Sequence, residues 1–122
     1  MAASDRFFDT NVLLYLLSGD SAKADRAEAE LSAGGIISAQ VLNEFASVAS
    51  RKLGMSFAEI REILTAVRAA SNVVPISEET HDTALQIAER YGLSVYDATI
   101  LASALLAGCM TVVSEDMQDG QV

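Results

Sequence analysis

Four acidic residues stand where their chemistry depends on the company they keep. Asp9 lies in the run Phe7-Phe8-Asp9-Thr10-Asn11-Val12, Glu44 in Val41-Leu42-Asn43-Glu44-Phe45, Asp97 in Ser94-Val95-Tyr96-Asp97-Ala98, and Asp116 in Val112-Val113-Ser114-Glu115-Asp116. Three of them have an ordinary reading. Asp9 or Thr10 can cap a following helix, Ser94 and Asp97 have the spacing of a capping box, and Glu44 can sit on a solvated helix face. Together they are carboxylates from separate segments, and such oxygen donors are what hard cations such as Mg²⁺ or Mn²⁺ require. With no positive side chain beside them in sequence, they would stay ionised together only around such a cation. One or two bound ions could orient a water, lower its pKa and stabilise the charge of a phosphodiester under in-line attack. Glu115 and Asp119 read as solvated loop charges, with an outer carboxylate as the alternative for Asp119.

These acids act together only if one architecture brings them to one edge. Arg6 to Asp9 reads as a short buried strand, Asn11 to Leu17 as a helical turn or two, and Asp20 or Ser21 caps a helix through about Ser32. Gly34-Gly35 breaks it; Gly35 to Ser38 is a second strand, and a helix follows from Ala39 to about Leu53, with Ser38 as N-cap and Gly54 as stop. Ser56 and Glu59 form a capping box for a helix to about Ala70. Val73 to Ile76 is a third strand, Ser77 caps an acidic-started helix to Tyr91, Ser94 opens an apolar helix to about Ala107, and Thr111 to Ser114 is a fourth strand. Strands apolar on both faces that alternate with helices predict one α/β domain over 1–122, its parallel sheet covered on both sides. Ligands in such folds bind outside the carboxyl ends of the strands, where Asp9 and Asp116 fall. Helical spacing puts Glu44 on the inward stripe with Val41 and Val48, and Asp97 on the buried face with Ile100 and Leu101.

Composition narrows the function. Over 122 residues, eight Lys and Arg oppose 17 Asp and Glu, giving a net charge of -9, so no long-range field draws nucleic acid or anionic membrane. Arg51 and Lys52, with Arg61 and Arg68 on the next helix, are the nearest thing to a basic surface, and Arg51 and Lys52 are the candidates for RNA phosphates against an ordinary solvated role. The single Cys109 excludes an intramolecular disulfide and reads as a small buried hydrophobe in a reducing compartment. No stretch reaches the roughly 20 apolar residues of a membrane span, and no secretion signal is legible, so the cytoplasm is expected. His81 falls at the polar start of its helix and reads as a surface residue; Gly34-Gly35 is a turn without a phosphate-loop pattern. A phosphoacceptor domain would need a Lys near a late strand end, but Lys23 and Lys52 lie in predicted helices; an aspartate-nucleophile phosphatase would need an Asp where Asn11 stands.

The set Phe8-Asp9-Thr10-Asn11-Val12-Leu13, Asn43-Glu44-Phe45, Ser94-Val95-Tyr96-Asp97-Ala98 and Ser114-Glu115-Asp116, in this order over nearly the whole chain, resembles a PIN domain. More narrowly it is similar to VapC-like ribonuclease toxins of bacterial toxin-antitoxin pairs. The resemblance implies a three-layer fold with a central parallel sheet of four or five strands flanked by helices. It implies a Mg²⁺-dependent endoribonuclease, with Mn²⁺ as substitute, that hydrolyses RNA phosphodiester bonds. Its catalytic and metal-binding residues would be Asp9, Glu44, Asp97 and Asp116, with Asn11 and Ser114 in support. A homodimer is implied, as is an antitoxin that inserts a basic segment into the acidic cleft, which suits the charge of -9. Two departures stand out. The chain ends at Val122, where family members continue into a further edge strand, and Ser114-Glu115-Asp116 replaces the commoner Thr-Asn-Asp. They keep a second reading open, a catalytically weak or inactive PIN-fold protein whose acidic cleft serves a partner.

Overall fold

Parallel strands cannot be joined by tight turns, so a chain of short apolar strands separated by capped helical stretches must cross over through its helices. The computed structural model, which describes residues 6–109 and 111–113, has this organisation. Strands β1 (Arg6–Phe8), β2 (Ile36–Ser38), β3 (Asn72–Val74) and β4 (Thr111–Val113) form a parallel sheet in the order β3-β2-β1-β4. Helices α1 (Thr10–Tyr15) and α2 (Ser21–Ser32) link β1 to β2, α3 (Ala39–Arg51) and α4 (Phe57–Ala70) link β2 to β3, and α5 (Glu78–Tyr91) and α6 (Val95–Leu106) lead to β4. No helix among the described residues is long and apolar enough to cross a membrane. Ser114, Asp116 and Asp119 lie outside the described residues, as does any further edge strand.

Register sets the working edge. Phe8 pairs with Val113, and Ser38 with Val74, so β1 ends level with β4 and β2 level with β3. From β1 the chain moves outward to β2 and β3 and then returns to the other side of β1. The β1/β4 boundary is therefore the topological switch point, beyond whose carboxyl ends a crevice opens in α/β sheets.

Consecutive residues of a strand face opposite sides, so the complete burial of both Phe7 and Phe8 shows that both faces of β1 are covered. Ile36 and Ile37 are likewise buried in β2. The edge strand departs from the expected pattern: Asn72 and Val73 are exposed and Val74 is half-buried. It also ends at Val74, two residues short of the predicted Ile76, because Pro75 has no N–H to donate to a ladder. The other predicted boundaries shift by no more than two residues; Thr10, for instance, already belongs to α1, and α3 ends at Arg51.

Local chemistry explains the helix ends. Ser56 and Glu59 exchange bonds of 3.1 and 2.9 Å at the start of α4, and the backbone N–H and then the hydroxyl of Ser56 hold the Glu59 carboxyl below its ordinary pKa. Gly92 ends α5 in the left-handed conformation, with φ 68°. Gly35 is fixed by contact instead: a Cβ there would overlap the Phe8 ring. Helices α5 and α6 meet along Ala84, Ala98 and Ala102, whose small side chains permit close approach, while Ile100 and Ala104 turn α6 toward the main core.

Candidate functional site

Ser38 is both the last residue of β2 and the N-cap of α3, so α3 begins at the sheet's carboxyl edge. Gln40 follows in its first turn, and Glu44 lies one turn later, the spacing at which Gln and acidic side chains meet on one face. Gln40 Nε2 donates to Glu44 Oε2 at 3.0 Å, and the Thr10 hydroxyl donates to Glu44 Oε1 at 2.5 Å. The same Gln40 amide donates to the Tyr96 carbonyl at 3.2 Å. Thr10 follows Asp9 and Tyr96 precedes Asp97. A single chain of hydrogen bonds, Thr10 to Glu44 to Gln40 to Tyr96, thus ties together the three segments that carry Asp9, Glu44 and Asp97.

The acids themselves are held differently. Asp9 is half-buried and caps α1, its Oδ1 accepting the Asn11 N–H at 3.0 Å, so the capping role and the edge position coexist. The Asn11 contribution seen is this backbone donation. Glu44 is half-buried with a neutral donor on each oxygen, which excludes the solvated-face reading. Asp97 is exposed, contrary to its expected place on the buried face of α6. The first turn of α6 stands at the open rim, where Val95 and Tyr96 are exposed too, and only from Ala98 onward does the helix enter the core. Ser94 accepts the Asp97 N–H at 3.1 Å, one half of the anticipated capping box.

Glu44 opens into a cleft of about 860 Å³. Gln40, Glu44, Ser47 and Arg51 line it as one stripe of α3; Pro75, Ile76, Val95 and Tyr96 form the facing wall. Arg51 lies two helical turns, roughly 10 Å along the axis, from Glu44, so it shares the cleft without pairing directly with the carboxylate. Lys52, the C-cap of α3, is exposed. His81 is exposed, and Cys109 is partly buried against the core.

Oxygen ligands of this kind suit a hard divalent cation. Thr10 and Gln40 are uncharged, so they orient the Glu44 carboxylate without neutralising it, and each oxygen keeps a further lone pair. Among the described residues no three acidic, His or Cys side chains form a metal-binding group, and Asp116 and Asp119, from the fourth segment, lie outside those residues.

The sequence alone gives Thr10 only a capping role and does not single out Gln40. The signal for Gln40 was its i, i+4 relation to Glu44; nothing local could have shown that Thr10, 34 residues away, reaches the same carboxylate. Thr10→Val keeps the shape of the side chain and removes its hydroxyl. Urea titration is expected to show a loss of about 1–3 kcal/mol in unfolding free energy, largely restored in Thr10→Ser. Equal losses in both variants would show that packing, not the bond to Glu44, is at stake.

The PIN domain family model matches residues 6–118. Among solved structures, a toxin-antitoxin complex from Klebsiella pneumoniae contains a chain that is 25% identical, with a TM-score of 0.68 over 88% of this chain and 82% of that one. VapC20 of Mycobacterium tuberculosis, described as a sarcin-ricin loop cleaving toxin, is 22% identical, with a TM-score of 0.69 over 89% of this chain and 88% of that one. No curated protein matches the sequence.

Proposed function

The chain belongs to the PIN domain family, and from that membership we propose that it is a Mg²⁺- or Mn²⁺-dependent endoribonuclease, the toxin of a toxin-antitoxin pair. The observation that carries this reading is the hydrogen-bond chain from Thr10 through Glu44 and Gln40 to Tyr96, which fixes three acid-bearing segments against one another at the carboxyl edge of the sheet. The Klebsiella pneumoniae neighbour comes from a toxin-antitoxin complex, and the Mycobacterium tuberculosis neighbour cleaves the sarcin-ricin loop, which supports RNA as substrate and a toxin's role.

In this proposal Asp9, Glu44, Asp97 and Asp116 hold the cation, with Asn11 and Ser114 in support and Asp119 as an outer carboxylate. The ion would supply an acidified water and charge stabilisation for the phosphodiester. Glu44 contributes a carboxylate already oriented by two donors, and Asp9 one anchored at the start of α1. Arg51, in the cleft, and the neighbouring Lys52 are the groups for RNA phosphates. The partner is an antitoxin with a basic segment, complementary to a chain of charge -9, and the toxin acts as a homodimer in the cytoplasm.

Incubation of the purified protein with a structured RNA mixture tests the reading. Cleavage is expected with Mg²⁺ or Mn²⁺ and is expected to vanish in EDTA and in Asp97→Asn. Undiminished cleavage by Asp97→Asn would remove that residue from the site. Failure of the parent in every lane would instead support a PIN-fold protein that uses its cleft to hold a partner, a second reading favoured by the exposure of Asp97.

A further inference from the structure

We propose that the cleft beside Glu44 is a docking site for an unpaired nucleotide of the RNA strand, with Tyr96 as the platform on which its base stacks and Arg51 as the contact for an adjacent phosphate. The inference rests on the ribonuclease reading and deepens it by assigning the surface that grips the strand.

Tyr96 is 71% exposed at the start of an otherwise core-directed helix, and its neighbours on the same wall, Val95 and Ile76, are 49% and 41% exposed. Three large apolar side chains left open along one wall of a cleft form a surface that loses unfavourable hydration when a flat apolar face covers it. The opposite wall is polar: the stripe of α3 offers the Asn43 amide, the Ser47 hydroxyl and the Arg51 guanidinium. A nucleotide has both characters, a π-face that stacks on aromatic rings and an anionic phosphate that a guanidinium recognises. At about 860 Å³ the cleft is of the size that takes a small ligand or a strand's base and sugar. The base must be unpaired, since in a duplex its faces are occupied by its neighbours.

The link to Glu44 gives the platform its use. The Tyr96 carbonyl is bonded to the Gln40 amide, which also holds Glu44, so the ring is attached to a backbone position fixed relative to the carboxylate. A base stacked there has a defined distance to the acid edge, and the strand is positioned for attack instead of merely held nearby.

The test is the affinity of a short unstructured RNA, measured by fluorescence anisotropy with Mg²⁺ present and in a Glu44→Gln background so that the probe survives. Tyr96→Ala is expected to raise Kd about 5- to 100-fold, Tyr96→Phe to stay within about twofold of Tyr, and neither to change the salt dependence. Arg51→Ala is expected to reduce the slope of log Kd against log salt by about one. Because Tyr96 is exposed and its carbonyl remains in every variant, circular dichroism should be unchanged. In the cleaving protein, Tyr96→Ala should raise KM more than it lowers kcat.

An unchanged Kd in Tyr96→Ala would overturn the proposal, as would a Tyr96→Phe variant as weak as Tyr96→Ala. Weakened capture of the antitoxin with unaltered RNA affinity would assign the wall to protein and overturn it as well. Ring-dependent RNA binding by a parent that never cleaves would uphold this subsite and remove the nuclease reading. Cleavage by a parent whose Tyr96→Ala variant keeps its KM would do the reverse.

Discussion

Glu44→Gln is expected to reduce RNA cleavage on the order of 10³-fold while leaving the protein folded. The change preserves volume and removes one negative charge from the edge where a cation and a reacting phosphate would meet, which is where electrostatic stabilisation is worth most. The hydrogen-bond chain limits the structural damage. Glu44 accepts from both Thr10 and Gln40, and a Gln at 44 offers only one acceptor oxygen. The Thr10 hydroxyl can rotate to accept from the new amide, while the Gln40 amide keeps its bond to the oxygen and to the Tyr96 carbonyl. Stability should therefore fall by about 1 kcal/mol. Two readouts separate chemistry from folding: initial cleavage rates in Mg²⁺, and calorimetric titration with Mn²⁺, whose affinity should collapse in parallel. A variant that cleaves within twofold of the parent would remove Glu44 from the reaction. Loss of cleavage with Mn²⁺ affinity intact would instead make it a group that acts on RNA without holding the ion.

Glu44 also shows how far a sequence reaches. Its place near the sheet edge follows from strand-then-helix punctuation at Ser38 and from the helical stripe with Val41, both local signals. The parallel α/β architecture was legible for the same reason, since each cap and stop is written within a few residues. What stayed hidden depended on distance in sequence or on position in the assembled sheet. The bond from Thr10 to Glu44 spans 34 residues and has no local signature. Periodicity correctly joined Asp97 to the stripe of Ile100 and Leu101, yet it could not say that α6 enters the core only after its first turn. The strand extended across Pro75 failed differently, because apolar residues on both sides outweighed a backbone rule that was readable all along.

Phe45→Ala is expected to lower unfolding free energy by about 3–5 kcal/mol, the largest effect on stability from a residue beside the site. Phe45 is fully buried and lies on the core face of α3 with Val41 and Ala49, each one turn away and also fully buried. Truncation removes most of an aromatic side chain and leaves a cavity that the surrounding sheet and helices can fill only in part. Against a typical total of about 5–15 kcal/mol for a domain, that loss is roughly a fifth or more of the margin. A urea titration should show it directly, and Phe45→Leu, which refills much of the volume, should recover more than half. The contrast with Glu44→Gln separates scaffold from chemistry on adjacent residues of one helix. Where Phe45→Ala remains folded, at low temperature and without denaturant, its cleavage rate per folded molecule should stay within about tenfold of the parent. A larger drop would mean that the cavity shifts α3 along or about its axis, carrying Gln40 and Glu44 away from Tyr96 and Thr10; the geometry of the acid edge would then depend on core packing as strongly as on its own hydrogen bonds.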